Sequence, residues 1–149
     1  MKKLRFRYES VLKMRMDTEE RIKNELAKWI AKRQSLLDEL ADLNEKSHQY
    51  DLHVEDILLN GDQFGERSNI AQSKQYYKQH KQILSAEIKR VEQIIKEVQE
   101  KLVEAMKERK VMDKLKEKAF QEFVDAINEA DAKLIEEVVN YSNNKKNGE

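Results

Sequence analysis

The sequence contains no cysteine, no proline and only three glycines among its 149 residues. Without cysteine the chain can form no disulfide, no thiolate metal site and no cysteine nucleophile, so the fold must rest on packing alone. It also lacks any run of 18 apolar residues, and charged residues alternate with apolar ones at its N-terminus. We therefore expect neither a membrane span nor a secretory signal.

The chain also has no excess of positive or negative charge, because 29 Lys and Arg balance 29 Asp and Glu. Binding to nucleic acid through the whole surface needs an excess of cations, so a zero net charge argues against it. Charged residues make up 39% of the chain and aromatic residues 7%, which leaves little material for a wide core. A compact globular enzyme is therefore not expected.

What the chain has in abundance are Ala, Glu, Lys, Leu and Arg, which together supply about half of its residues, as in coiled coils and long helices. The one plausible break is the segment 60–66, which holds an Asn-Gly pair and two of the three glycines. Ser68 or Asn69 could cap the helix that follows. We predict a single domain over residues 1–141, with a first arm at about 4–59, a turn at about 60–67 and a second arm at about 68–141. The tail 142–149 is predicted to be disordered.

Both arms carry apolar residues at alternating steps of four and three, the 3.5-residue repeat of a coiled coil. In the first arm the repeat falls on Ile22, Leu26, Trp29, Arg33, Leu36, Leu40, Leu43, Ser47, Tyr50, Val54 and Ile57. Extended backward it meets Leu12 but also Arg15 and Glu19, so the seam should be weaker there. In the second arm it falls on Tyr77, Lys81, Leu84, Ile88, Val91, Ile95, Val98, Leu102, Ala105, Arg109 and Met112. Beyond these the apolar residues shift to a displaced set, which predicts a local unwinding near Leu115. That set is Phe120, Val124, Ile127, Leu134, Val138 and Tyr141.

Two apolar seams joined by a short turn can bury each other only by folding back on one another. We therefore predict an all-α fold, a long two-helix antiparallel coiled coil with a left-handed supercoil. With a turn centred near residue 63, paired residue numbers add up to about 126, which places Met1 near Asp125. The basic block 1–16 and the acidic block 119–140 would then lie together and favour this register.

Catalytic and metal sites find no support in the sequence. It contains no nucleotide-binding, hydrolase or calcium-binding motif, and His48 and His53 are five residues apart, which is wrong for a metal pair on one helix face. A carboxylate pair needs a water-poor cleft for acid-base catalysis, and two helices offer none. We expect no catalytic residues, no metal and no cofactor.

Two segments suggest contacts with partners. The basic and aromatic residues 2–8 fit a helix end packed on protein, a membrane-surface segment or a nucleic-acid arm. Near the turn, four aromatic residues form either a tyrosine-rich end of the supercoil or an exposed patch for a partner. These residues are Tyr50, Phe64, Tyr76 and Tyr77.

Several short motifs spread over nearly the whole chain resemble the flagellar export FliJ family. They are Phe6-Arg7-Tyr8 with Val11-Leu12 and Arg15, Asn24-Glu25-Leu26-Ala27, Ser68-Asn69, Tyr76-Tyr77 with Leu84, the basic stretch 110–118, and Phe120. The resemblance implies a fold similar to the stalk subunit of rotary ATPases and a non-enzymatic role in flagellar type III protein export.

The same resemblance implies the partners. The open end of the hairpin would enter the hexameric ring of the export ATPase and promote its assembly and activity. Other partners would be the cytoplasmic domain of the membrane export gate and the export chaperones. No nucleic-acid partner or membrane insertion is implied. The protein would lie in the cytoplasm, associated peripherally with the cytoplasmic face of the membrane at the flagellar base. A coiled-coil scaffold or spacer, or a membrane or nucleic-acid binder using its basic arm, is the alternative.

The resemblance, together with the unequal ends of the predicted hairpin, suggests two candidate surfaces, although His80 departs from the large apolar residue that the family has nearby. The candidate positions for contact with the export gate are Leu43, Tyr50, Tyr77, His80 and Leu84. The candidate positions for contact with the ATPase ring are Phe6, Arg7, Tyr8, Val11, Arg15, Phe123, Ile127, Leu134 and Val138.

Overall fold

A computed structural model describes residues 3–147 of the chain. Helix α1 covers Glu9–Asn60, a short 3-10 helix covers Glu66–Asn69, and helix α2 covers Ile70–Asn147. No strand occurs among these residues, and the two long helices pack against each other. The predicted all-α helical hairpin is confirmed.

Contacts divide the chain into two compact units, which we describe separately. The turn unit is Arg21–Val103, and the terminal unit is Met1–Glu20 together with Glu104–Glu149. The helix bounds differ from the predicted arms at both outer ends. Helix α1 begins at Glu9 and not near residue 4, and α2 continues through Asn147 and not to about 141. Since no proline or glycine occurs between Gly65 and Gly148, no residue of either type ends the helix earlier.

The core of the turn unit consists of the residues that the 3.5-residue repeat selects. Val91 lies at its centre and is fully buried. The buried cluster is Leu36, Leu43, Leu84, Ile88, Val91 and Ile95. Leu26, Trp29, Leu40 and Tyr77 pack against it. Leucine, isoleucine and valine therefore interdigitate along a narrow seam, as in knobs-into-holes packing.

Contacts across the turn unit define the register. The Lys81 ammonium donates a hydrogen bond of 2.9 Å to the Ser47 hydroxyl, and the rings of Tyr50 and Tyr77 lie 5.5 Å apart. The numbers of these pairs add up to 128 and 127, close to the predicted 126. The polar interruption at Ser47 is thus matched by a polar residue of α2, which satisfies both groups within the seam.

The turn is held by the Asp62 side chain and not by the predicted capping residues. The Asp62 carboxylate accepts the backbone N–H groups of Glu66 at 2.8 Å and Arg67 at 2.9 Å. These bonds, the one to Arg67 first, lower the pKa of Asp62 below its ordinary value of 3.8. The predicted capping residues Ser68 and Asn69 lie inside the 3-10 helix. Because the 3-10 helix starts four residues before α2, the side-chain acceptor moves back to Asp62.

In the terminal unit, α1 and α2 also pack along the repeat, but the seam there is partly polar. Leu12, Glu19 and Ala105 are buried. The pairs Glu9–Lys116 and Glu19–Arg109 add up to 125 and 128. Met1, which was predicted to lie near Asp125, is outside the described residues.

The predicted change of phase near Leu115 is wrong. Helix α2 is continuous there, and the steps of four and three run on through Lys116, Ala119 and Phe123, which are half-buried, while Phe120 is 54% exposed. Phe120, Ile127, Leu134 and Val138 are exposed and do not mark the seam. The reason is that α1 begins at Glu9, opposite Lys116, so no turn of α1 lies opposite them. The charge blocks 1–16 and 119–140 are likewise not joined by any ion pair that the structure describes.

Candidate functional site

An aromatic surface lies on the turn unit and is formed by Tyr50, Tyr76, Tyr77 and His80; we call it the tyrosine surface. The Tyr77 ring contacts Tyr50 at 5.5 Å and Tyr76 at 5.6 Å, and Tyr76 stacks on His80 at 5.6 Å with an interplanar angle of 14°. Tyr76 and His80 are four residues apart on α2, which places them on one helix face. The four rings therefore form a continuous aromatic array across both helices.

A shallow cleft lies on each side of this array. One, of about 300 Å³, is lined by Gln72 and Ser73 beside the three tyrosines. The other, of about 280 Å³, is lined by Glu39, Asp42 and Lys46 beside Leu43, Tyr76, Tyr77 and His80. Lys46 and Asp42 form a 3.1 Å ion pair there. The surface thus presents aromatic faces between polar edges, a composition typical of protein interfaces.

The candidate gate positions fall into two groups. Tyr50, Tyr77 and His80 are half-buried and come together on the tyrosine surface, whereas Leu43 and Leu84 are only 7% and 6% exposed. These two leucines belong to the core cluster, so they support the surface from beneath. Tyr76, which is 59% exposed, was predicted as part of an aromatic patch near the turn but was missing from the candidate gate positions. Its four-residue spacing from His80 was the signal that could have included it.

The second candidate surface begins at the N-terminal segment of the terminal unit. Phe6 and Tyr8 meet edge to face at 5.9 Å, and the Arg7 guanidinium lies 5.6 Å from the centre of the Tyr8 ring. The Phe6 carbonyl accepts the Glu9 N–H, and the Tyr8 carbonyl accepts the Leu12 N–H, so these residues lead directly into α1. Together with the segment 115–122 they line a cleft of about 290 Å³. Residues lining it include Arg5, Arg7, Lys118 and Glu122.

Ionic contacts between charged side chains follow along the same unit. Arg15 pairs with Glu108 at 2.6 Å, and Val11, four residues earlier on α1, is half-buried. Glu19, only 5% exposed, accepts a hydrogen bond from Arg109, which also contacts Asp113. These two carboxylates, Glu19 first, raise the pKa of Arg109 above its ordinary value. Arg15 is therefore held in an ion pair within the unit, whereas the Arg7 guanidinium lies over the Tyr8 ring.

The last part of α2 is exposed along its whole length. Every residue over 125–147 is exposed, whereas Phe123 is half-buried at the end of the seam. Ile127, Leu134 and Val138 are 43%, 61% and 61% exposed. Their spacings of seven and four place them on one face of the helix. The structure therefore joins Phe6, Arg7 and Tyr8 in one cleft but leaves Leu134 and Val138 on a separate apolar stripe of α2.

Residues 3–147 contain neither a metal-binding cluster nor a membrane-spanning helix. In that range no group of three or more metal-ligating side chains is close enough to hold an ion. His53 instead contacts the Glu66 carboxylate at 2.5 Å. No helix in the same range is both long enough and apolar enough to cross a membrane.

Comparison with known proteins identifies the family to which the chain belongs. Neither curated proteins nor solved structures give a significant match. The family model for the flagellar FliJ protein matches residues 3–148, nearly the whole chain, so the match covers both helices and both candidate surfaces. The chain therefore belongs to the FliJ family, a non-catalytic component of flagellar type III protein export.

Proposed function

We propose that the terminal unit enters the ring of the flagellar export ATPase and promotes its assembly and activity. The observation that carries the proposal is the exposed apolar stripe Ile127, Leu134 and Val138 on a helix end that no other part of the described chain covers. Membership of the FliJ family supports the choice of partner. The cleft formed by Phe6, Arg7 and Tyr8 supplies a second contact of different chemistry in the same unit.

A single chain inside a ring touches successive subunits with different faces. A ligand can change the conformation of a subunit only by binding its states with different affinity. The apolar stripe of α2 and the basic, aromatic cleft lined by residues 5–8 and 115–122 offer such unequal contacts. The terminal unit can therefore favour different conformations in different ring subunits.

The proposal also assigns the tyrosine surface to the cytoplasmic domain of the export gate. Tyr50, Tyr76, Tyr77 and His80 form an aromatic array with polar clefts on both sides, as a protein interface requires. Leu43 and Leu84 would act by holding this array in place from the core. In this role the protein lies on the cytoplasmic side of the membrane at the flagellar base. Export chaperones are its third class of partner, on the strength of family membership.

The ATPase assignment is tested by measuring ATP hydrolysis and ring assembly of the export ATPase with and without the full chain. A chain that stops after Val124 keeps every buried residue of the terminal unit. We expect this chain, and the double variant Leu134→Ser/Val138→Ser, to lose stimulation. The matched control is Val111→Ser, at a 55% exposed site on the same helix. It should stimulate like the unchanged protein.

Circular dichroism of each variant confirms that the helices remain folded. Full stimulation by the shortened chain would refute the role of the apolar stripe. Absence of both binding and stimulation by the unchanged, helical protein would reject the ATPase partner and favour a scaffold.

The gate assignment is tested by binding of the isolated cytoplasmic domain of the export gate. Tyr76→Ala removes the most exposed ring of the tyrosine surface, and His80→Ala removes the half-buried ring stacked on it. Neither residue belongs to the core cluster. We expect the Tyr76 variant to bind about ten-fold more weakly, the usual effect of truncating an aromatic contact at an interface. Tyr141→Ala, at a 70% exposed tyrosine of the terminal unit, is the control. Equal binding by all three variants would reject the assignment.

A further inference from the structure

Three large apolar side chains are exposed around the turn, and none of them belongs to either surface described above. Leu58, Leu59 and Phe64 are 61%, 74% and 78% exposed. We call these three residues the tip surface. Phe64 also lines a cleft of about 520 Å³ together with the end of α1 and Glu66. Leu58 and Leu59 are adjacent and Phe64 follows in the turn, so the exposed apolar residues are grouped and not scattered singly, and such grouping favours a contact site.

The backbone beneath the tip surface is fixed. The Gly61 N–H donates to the Ile57 carbonyl at 3.1 Å, and Asp62 holds the backbone N–H groups that begin the 3-10 helix. The contact between His53 and Glu66 joins α1 to the same 3-10 helix. Hydrogen bonds therefore hold the backbone at the turn in one conformation. This order reduces the conformational entropy that the chain loses when a partner binds.

The surroundings of the tip surface are strongly acidic. Residues 51–69 contain five carboxylates and one guanidinium, so their formal charge is −4 with His53 neutral. The guanidinium belongs to Arg67, and it donates to the Ile57 carbonyl at 3.5 Å, within the turn. The carboxylates belong to Asp51, Glu55, Asp56, Asp62 and Glu66. Apolar groups between carboxylates select for a partner with apolar groups between cations.

We propose that the tip surface binds a basic amphipathic helix of a partner protein. The apolar face of that helix would cover Leu58, Leu59 and Phe64, and its Lys or Arg residues would face the carboxylates. Charge excludes two other occupants, because a second tip surface and an anionic bilayer would both be repelled by a charge of −4. This site does not depend on the ATPase or gate contacts proposed above, since it uses none of their residues.

The test uses the isotopically labelled full chain and a designed peptide. The probe is an amphipathic helix of Leu and Lys of about 18 residues, or five helical turns. A peptide with Glu in place of Lys is the control. We expect the Lys peptide to shift the backbone NMR signals of Leu58, Leu59 and Phe64, and its affinity to fall with added salt. The Glu peptide should shift none of them.

Two pairs of variants separate the apolar and charged contributions. Leu59→Ser/Phe64→Ser should weaken peptide binding about ten-fold, whereas Ile83→Ser, at a 65% exposed site of α2, should not. Asp56→Lys should weaken it as well, whereas Asp38→Lys should not. Asp56 and Asp38 are matched, since each accepts a side-chain amide four residues away, from Asn60 and Gln34.

Several results would overturn the proposal. One is that the largest signal shifts fall on the acidic end of α2 and not on the turn. Another is that the Leu59→Ser/Phe64→Ser variant binds the Lys peptide like the unchanged chain. Concentration-dependent dimerisation through the turn, or binding to anionic phospholipid vesicles that this same variant abolishes, would assign the tip surface to a second copy or to a membrane.

Discussion

The packing of the turn unit makes a quantitative prediction for one pair of valines on α2. Val91 is 0% exposed at the centre of the core, and Val103 is 51% exposed in the same unit. Replacing either by alanine removes the same two methyl groups and brings the same gain in helix propensity. The difference between Val91→Ala and Val103→Ala therefore measures burial alone.

Its magnitude follows from the burial of the two side chains. Two buried methyl groups contribute about 1.6 kcal/mol, and the small cavity left at Val91 costs about 0.5 kcal/mol more. Alanine regains about 0.5 kcal/mol through its higher helix propensity. We expect Val91→Ala to lower the free energy of unfolding by about 1.5 kcal/mol. Val103 is about half exposed, so removing its two methyl groups costs only about 0.8 kcal/mol of hydrophobic free energy. The gain in helix propensity offsets about 0.5 kcal/mol, which leaves a net loss of about 0.3 kcal/mol.

Urea unfolding followed by circular dichroism and by Trp29 fluorescence measures both variants. Trp29 is the only tryptophan and packs against the cluster that contains Val91, so its emission reports on this core. The dependence on urea concentration should stay unchanged, since neither variant alters the surface exposed on unfolding by much. Equal losses at the two positions, or a larger loss at Val103, would refute the packing of α2 described here.

Three further predictions concern polar and turn residues. Glu19→Leu leaves Arg109 without its buried partner and should lower the temperature of the unfolding midpoint. Adding Arg109→Leu should restore part of this loss. Thermal unfolding of both variants tests this, and no recovery in the double variant would contradict it. The pKa of Asp62 is lowered in the folded state, so its stabilisation is complete above its ordinary pKa of 3.8 and is lost as the pH falls through the lowered value. Asp62→Asn should lack this part of the acid dependence in urea unfolding, and an unchanged pH profile would count against the cap. Gly65 has a φ of 68° with open space around its α-carbon, so Gly65→Ala should cost about 1 kcal/mol through backbone strain, and Gly65→Asn less. Equal unfolding midpoints for these two variants would contradict that reasoning.

The interior of the fold could be predicted from the sequence because a coiled-coil seam is a local, periodic signal. Leu36, Leu43, Leu84 and Val91 all fall on the 3.5-residue repeat, and all are buried. The register also followed from the position of the turn, because a short connection leaves little freedom in how two helices pair. Comparison with the family supports the same overall assignment.

The candidate sites were less predictable, because exposure depends on what lies opposite a residue. Phe120 and Phe123 are equally apolar, yet only the second faces the seam. Tyr76 and Tyr77 are neighbours of one type, but Tyr77 packs on the core while Tyr76 is mostly in solvent. The repeat places Tyr77 in the seam, but it does not assign Tyr76 to a surface formed with His80.

The sequence by itself determined the helical fold, the place of the turn and the residues of the apolar seam, since these depend on composition and on spacing along one helix. Only the tertiary structure decided which polar groups meet across that seam. The sequence predicted a weak seam at Glu19, whereas this side chain is buried against Arg109, ninety positions away in the chain. Such a pair depends on two helices approaching each other in one register, and no local pattern contains that information.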